Sequence, residues 1–116
     1  ISMPMIQAKV TVPMTDEENA VFHTELTQAV VDILHKPVEY VMVHVEDDAD
    51  LWMGGKKLKR GAFLSFLFMG EQPDEACAAL TERVCQVLAR HFSIPGANVY
   101  TTFQTVRQWG SDGVLF

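Results

Sequence analysis

The most pointed chemistry in this chain stands near its start, where Met3 is followed by Pro4. Ile1-Ser2 reads as an expression remnant and Met3 as the initiator. Removing Met3 would leave Pro4 as a free N-terminal secondary amine, a group able to act as a base or a nucleophile. The same proline has an ordinary use, because the first position of a strand needs no N–H in the ladder. At the level of the residue alone both readings stand.

The other reactive residue types point to less. Cys77 and Cys85 are eight positions apart in a predicted helix, a rise of about 12 Å, too far for a disulfide between them. With no Cys-x-x-Cys and no metal-ligand spacing, they read as small core or surface residues of a reducing compartment. Neither a metal nor a cofactor is expected. The acidic stretch Glu46-Asp47-Asp48-Ala49-Asp50 lacks the ligand spacing and glycine of an EF-hand and reads as a solvated turn. The basic run Lys56-Lys57-Leu58-Lys59-Arg60 reads as a solvated loop.

Composition narrows the classes. At 116 residues, the chain supports one core, read as a single domain over 4–116. Apolar residues make up 48% and charged residues 21%, the balance of a soluble globular protein. No apolar run approaches the ~20 residues of a membrane span, and no signal-peptide pattern is present. A net charge of −6 argues against nucleic acid as the main partner. A cytoplasmic protein without membrane contact is expected.

The elements that must position Pro4 follow from periodicity. Ile6, Ala8, Val10 and Val12 alternate with Gln7, Lys9 and Thr11, a strand with one buried face. Thr15-Asp16-Glu17-Glu18 has the form of a capping box. Phe22, Leu26, Ala29, Val30, Ile33 and Leu34 then form one apolar helical stripe, which runs to about His35 and stops before Lys36-Pro37. Tyr40 to Val45 predicts a second strand, and Leu51-Trp52-Met53 a short one before Gly54-Gly55. Gly61 to Met69 is almost continuously apolar, so both its faces should be covered. Pro73 suits a first helical position, with Asp74 and Glu75 at the positive helix end. Cys77, Leu80, Val84, Val87 and Leu88 form the second stripe, and Val99 to Phe103 the last long strand.

The halves repeat. Leu26-Thr27 with Leu34 matches Leu80-Thr81 with Leu88 at an offset of 54, and Pro37 answers to Pro95. Trp52 before Gly54-Gly55 is matched by Trp109 before Gly110. Two βαβ units with right-handed crossovers place both helices on one face of a four-stranded sheet, an α+β fold. The other face of the sheet would be left apolar and open in a monomer, which implies association.

Met3-Pro4-Met5-Ile6, Lys36-Pro37 followed by Tyr40-Val41-Met42-Val43, the pair Gly54-Gly55, Ile94-Pro95 with Val99-Tyr100, and the final Phe116 together resemble the macrophage migration inhibitory factor family of the tautomerase superfamily. The resemblance spans Pro4 to Phe116. It implies a homotrimer of two-βαβ subunits with sites between subunits and an N-terminal proline that moves protons in keto–enol conversions. It matches Pro4 to the catalytic proline and Lys36 to the active-site lysine. Tyr100 matches a tyrosine given across the subunit boundary, Met69 a residue whose backbone N–H faces the substrate, and Met5 and Phe116 pocket-lining residues. Thr102 stands where the family often has asparagine, and Trp109 is shifted from the family's Gly-Trp-Asn; both are counted with the substrate-binding wall. His35 replaces a common glycine, and Lys56–Arg60 replaces a short Ser-rich stretch.

The implied chemistry is coherent. A proton alpha to a carbonyl is weakly acidic, so its removal needs a base poised near neutral pH and a cation to hold the forming enolate. Two function classes follow: a cofactor-independent isomerase of a small α-keto acid such as an arylpyruvate, or a trimeric protein-binding module with a vestigial site.

Overall fold

The computed structural model describes residues 4–116; the reading of Ile1-Ser2 and Met3 lies outside the described residues. Strand β1 (Met5–Val10) leads into helix α1 (Asp16–Leu34), a 3₁₀ turn at Val38–Tyr40 and strand β2 (Met42–Glu46). A small hairpin, β3 (Trp52–Met53) and β4 (Lys56–Lys57), precedes strand β5 (Ala62–Phe68) and helix α2 (Asp74–Phe92). After a 3₁₀ turn at Gly96–Asn98 come strand β6 (Val99–Thr105) and a terminal hairpin, β7 (Gly110–Ser111) and β8 (Val114–Leu115).

The main sheet has the order β2-β1-β5-β6. Strand β1 runs parallel to β2, and β5 parallel to β6, while the central pair β1 and β5 is antiparallel. Each parallel pair needs a helical crossover, so two βαβ units meet along the middle of the sheet. The alternation in β1 buries Ile6, Ala8 and Val10 and turns Gln7 and Lys9 outward. In β5 it buries Ala62, Leu64, Phe66 and Phe68. Both helices bury their stripes against these residues in one cluster, through Phe22, Leu26, Ala29 and Val30 from α1 and Leu80, Val84, Val87 and Leu88 from α2. Phe66 stacks on Phe103 at 4.8 Å, and Phe22 meets Phe92 edge-on at 5.5 Å. The predicted architecture, with both helices on one face, is the observed one.

The capping box is present: the Thr15 hydroxyl accepts from the Glu18 N–H at 3.1 Å, and the Glu18 carboxylate accepts from the Thr15 N–H at 2.9 Å. Helix α1 ends in His35, whose φ of 56° is left-handed, and α2 ends the same way in Ser93, with φ of 55°. Pro73 is the N-cap of α2, one position earlier than expected.

Several expectations are corrected. The first strand stops at Val10, beyond which the Thr11 N–H still donates to the Gly61 carbonyl at 3.0 Å but the Gly61 N–H donates to the Thr11 hydroxyl, also at 3.0 Å; that hydroxyl holds the β5 entrance by donating in turn to the Lys59 carbonyl at 3.0 Å. The second strand starts at Met42, since Pro37 opens a 3₁₀ turn in which the Tyr40 N–H donates to the Pro37 carbonyl. Lys56-Lys57 is a strand rather than a loop, because Gly54 and Gly55 both take positive φ and form the two-residue turn that closes a hairpin. The matching turn in the second half is Asp112-Gly113, with φ of 52° and 74°. The counterpart of Gly54-Gly55 is therefore that pair and not Gly110. Lastly, β5 is fully covered on one face only: Phe63, Ser65 and Leu67 remain half-buried within one chain.

Candidate active site

Pro4 is buried and its carbonyl accepts the Met42 N–H at 3.1 Å. This bond belongs to the parallel pairing that sets Met5 beside Met42, while the antiparallel pairing sets Met5 opposite Leu67. The start of β1 is thus clamped between two strands, and the backbone at Pro4 cannot shift without breaking the sheet. A cavity of about 520 Å³ opens there.

Three pieces of chain wall it. From the sheet come Pro4, Met5, Met42 and Leu67; from the 3₁₀ turn come Glu39 and Tyr40; from the segment after β6 come Val106, Gln108, Trp109, Gly110 and Ser111. The last segment is drawn in by the Val106 N–H, which donates to the Phe68 carbonyl at 2.7 Å. It is then held by the terminal hairpin, where the Phe116 N–H donates to the Trp109 carbonyl at 2.8 Å. A mostly apolar, concave wall with a few polar groups suits a small, partly apolar molecule.

Of the residues predicted from sequence, Pro4, Met5 and Trp109 meet in this cavity. Lys36 is half-buried in the link between α1 and the 3₁₀ turn and is not on the cavity wall. Met69 follows β5 directly, half-buried, before Gly70, whose φ is 102°. Tyr100 and Thr102 point outward from β6, two strands away from β1, and Tyr100 is 65% exposed. Tyr100 lines a separate hollow of about 360 Å³ with Trp52, Phe63 and Asn98. Phe116, 54% exposed, sits against the backbone of Trp109 and off the cavity wall.

Sequence reasoning missed Glu39, Tyr40, Met42, Leu67, Val106, Gln108, Gly110 and Ser111 as wall residues. Three of them carried a signal. Tyr40 and Met42 stand three and five residues after Lys36-Pro37, in the stretch that carried the resemblance, and Leu67 belongs to the apolar Gly61–Met69 strand, whose outward residues were expected to be covered. The segment Val106–Ser111 has no periodicity from which its position could be read.

A larger hollow of about 630 Å³ lies at the end of α2, lined by Lys59, Arg60, Ser93 and Asn98 among others. Arg60 is committed there to the Phe92 carbonyl at 2.6 Å, and Asn98 to the Arg60 carbonyl at 2.8 Å. Both serve the backbone. The thiols of Cys77 and Cys85 are pushed up by burial, that of Cys77 further by Asp74. Each is thereby kept in its unreactive form. Among the described residues no group of three or more His, Cys, Asp or Glu could hold a metal ion. No helix among them is long and apolar enough to cross a membrane.

Comparison with known proteins agrees with this geometry. The family model described as "Macrophage migration inhibitory factor (MIF)" matches residues 3–114. Among solved structures, the chain is similar to Leishmania major MIF2, with a TM-score of 0.89 at 22% identity over 98% of this chain and 97% of that one. It is also similar to the macrophage migration inhibitory factor of Toxoplasma gondii, with a TM-score of 0.86 at 23% identity over 97% and 99%. A third similar structure is a fused 4-OT described as a wild-type asymmetric trimer, with a TM-score of 0.83 at 17% identity over 95% and 94%. At these identities the structures establish a shared fold.

Proposed function

The chain belongs to the macrophage migration inhibitory factor family, and from that premise we propose that it is a cofactor-independent keto–enol tautomerase of a small α-keto acid. An arylpyruvate is the natural test compound. The observation that carries this reading is the position of Pro4: buried, fixed by β2, and facing a largely apolar cavity roofed by Trp109.

With Met3 removed, the Pro4 nitrogen is a secondary amine rather than an amide. Burial disfavours the charged form of an amine, which leaves a lone pair available near neutral pH. That nitrogen takes the proton alpha to the carbonyl; the C–H electron pair forms the enol double bond, and the carbonyl oxygen takes the negative charge and then a proton. Lys36 is assigned the cation that holds the enolate, and Met5, Met69, Thr102, Trp109 and Phe116 the surrounding wall. Tyr100 would reach the site of a neighbouring subunit in a homotrimer. Its exposure supports this, as do the open outer face bearing Met42 at 67% exposure and the trimeric state of the similar 4-OT. The shared core of residues 4–116 supports one functional unit.

The test compares processed and unprocessed protein, each verified by intact mass, for turnover of an enol arylpyruvate. The unprocessed form should lose about 10²–10⁴ in rate, the scale of general-base catalysis. Equal turnover would make Pro4 a strand-opening proline and nothing more. A second reading, a trimeric protein-binding module with a vestigial site, is favoured by one observation: Lys36 is off the cavity wall. Processed protein that binds an arylpyruvate without turning it over would select it.

A further inference from the structure

We propose that Glu39 sets the charge preference of the Pro4 cavity, admitting α-keto acids with a neutral or positively charged distal group and rejecting those with a second carboxylate. This rests on reading the cavity as the substrate site.

Among the described residues, Glu39 is the single charged side chain on the cavity wall. Its carboxylate has no ion pair or hydrogen bond among them; the ion pairs present involve Asp50, Asp32 and Glu25. The remaining polar wall groups, Tyr40, Gln108 and Ser111, include no cationic side chain. The negative charge of Glu39 is therefore not balanced within the wall, and the chain's net charge of −6 adds to it.

Placement gives that charge a direction. Glu39 belongs to the 3₁₀ turn that leads into β2, whereas Pro4 is buried at the start of β1. The carboxylate of an α-keto acid cannot settle beside Glu39 without repulsion, so it lies toward Pro4. The distal end of the molecule is then left to Glu39, Tyr40 and Trp109. Two aromatic side chains on the same wall as a carboxylate favour a cation, by ring quadrupole and by direct charge, and tolerate a neutral group.

The effect has a modest size. Two unit charges ~4 Å apart in water interact by enough to change binding about fivefold, and Glu39 is exposed to solvent. Because the turn is exposed and its fold rests on backbone bonds from Tyr40 and Val41, replacing Glu39 leaves the sheet intact.

The experiment uses processed protein and three unreactive arylpropionates that differ only in the para substituent: tert-butyl, its cationic isostere trimethylammonio, and carboxylate. Affinities are measured by calorimetry at low salt for the parent, Glu39→Gln and Glu39→Lys. The parent should prefer the cation over the neutral probe, and the neutral probe over the dianion, by about fivefold at each step. Glu39→Gln should compress both gaps, Glu39→Lys should reverse the order, and the neutral probe should stay within about twofold throughout. An order unchanged by either substitution overturns the proposal, and so does failure of all three probes to bind the parent. The corresponding enol arylpyruvates separate the two readings. A charge order that follows Glu39 without any turnover leaves this proposal standing and removes the tautomerase; turnover indifferent to Glu39 does the opposite.

Discussion

Replacing Thr11 by Val should destabilise the protein by about 1.5–3.5 kcal/mol, although the two side chains have almost the same shape. Thr11 is 8% exposed, and its hydroxyl serves two backbone groups at once: it donates to the Lys59 carbonyl and accepts from the Gly61 N–H, each at 3.0 Å. Gly61 is buried, and Leu58 and Asn98 crowd it so closely that even a Cβ would meet Leu58 at 2.6 Å. No water can reach its N–H without the loop opening, so its loss of a partner carries the full penalty for an unsatisfied buried donor, ~1–3 kcal/mol. Lys59 is exposed, so its carbonyl recovers most of its bond from solvent and adds about 0.5 kcal/mol. The sum corresponds to a fall in Tm of about 6–14 °C for a chain of this size. The assay is urea unfolding of the parent, Thr11→Val and Thr11→Ser at one protomer concentration, since association would make the midpoint concentration-dependent. Thr11→Ser keeps the hydroxyl and should lose no more than ~1 kcal/mol, the value of a buried methyl. The slope m should be common to all three, because the unfolded surface is unchanged. If Thr11→Val falls within about 0.5 kcal/mol of Thr11→Ser, the two hydrogen bonds do not hold the β5 entrance and the reasoning fails.

Three further outcomes are expected. His35→Gly should stabilise by about 0.5–1 kcal/mol, because φ of 56° suits glycine and strains histidine; a fall in Tm would show that the His35 side chain contributes more than its backbone strain costs. Sedimentation equilibrium of processed protein should give a homotrimer at micromolar concentration, because Met42, Trp52 and Tyr100 lie exposed; a monomer would refute both the assembly and the shared site. Replacing Cys77 and Cys85 together by Ala should leave arylpyruvate turnover within a few-fold of the parent, since burial keeps both thiols protonated; a large loss in a folded variant would give a thiol a role in the chemistry.

Much of the fold was legible in the order of the residues because its main signals are local. The alternation of Ile6, Ala8 and Val10, the stripe Phe22–Leu34 and the capping box at Thr15 each satisfy a period or an end group by themselves. The handedness of the crossovers then left one way to put both helices on one face. Pro4, Met5 and Trp109 could be singled out for the site through resemblance. What sequence could not supply was which distant segments close on Pro4. Glu39 and Tyr40 reach the cavity because Pro37 turns the chain before β2 can begin, and Trp109 reaches it because the Val106 N–H finds the Phe68 carbonyl. Such contacts join segments far apart along the chain, and no periodicity records them. Local hydrophobic pattern determined the elements and the face each buries; only the tertiary pairing of β1 with β2 and β5 decided where the cavity lies and that, among the described residues, its single charged wall residue is a carboxylate.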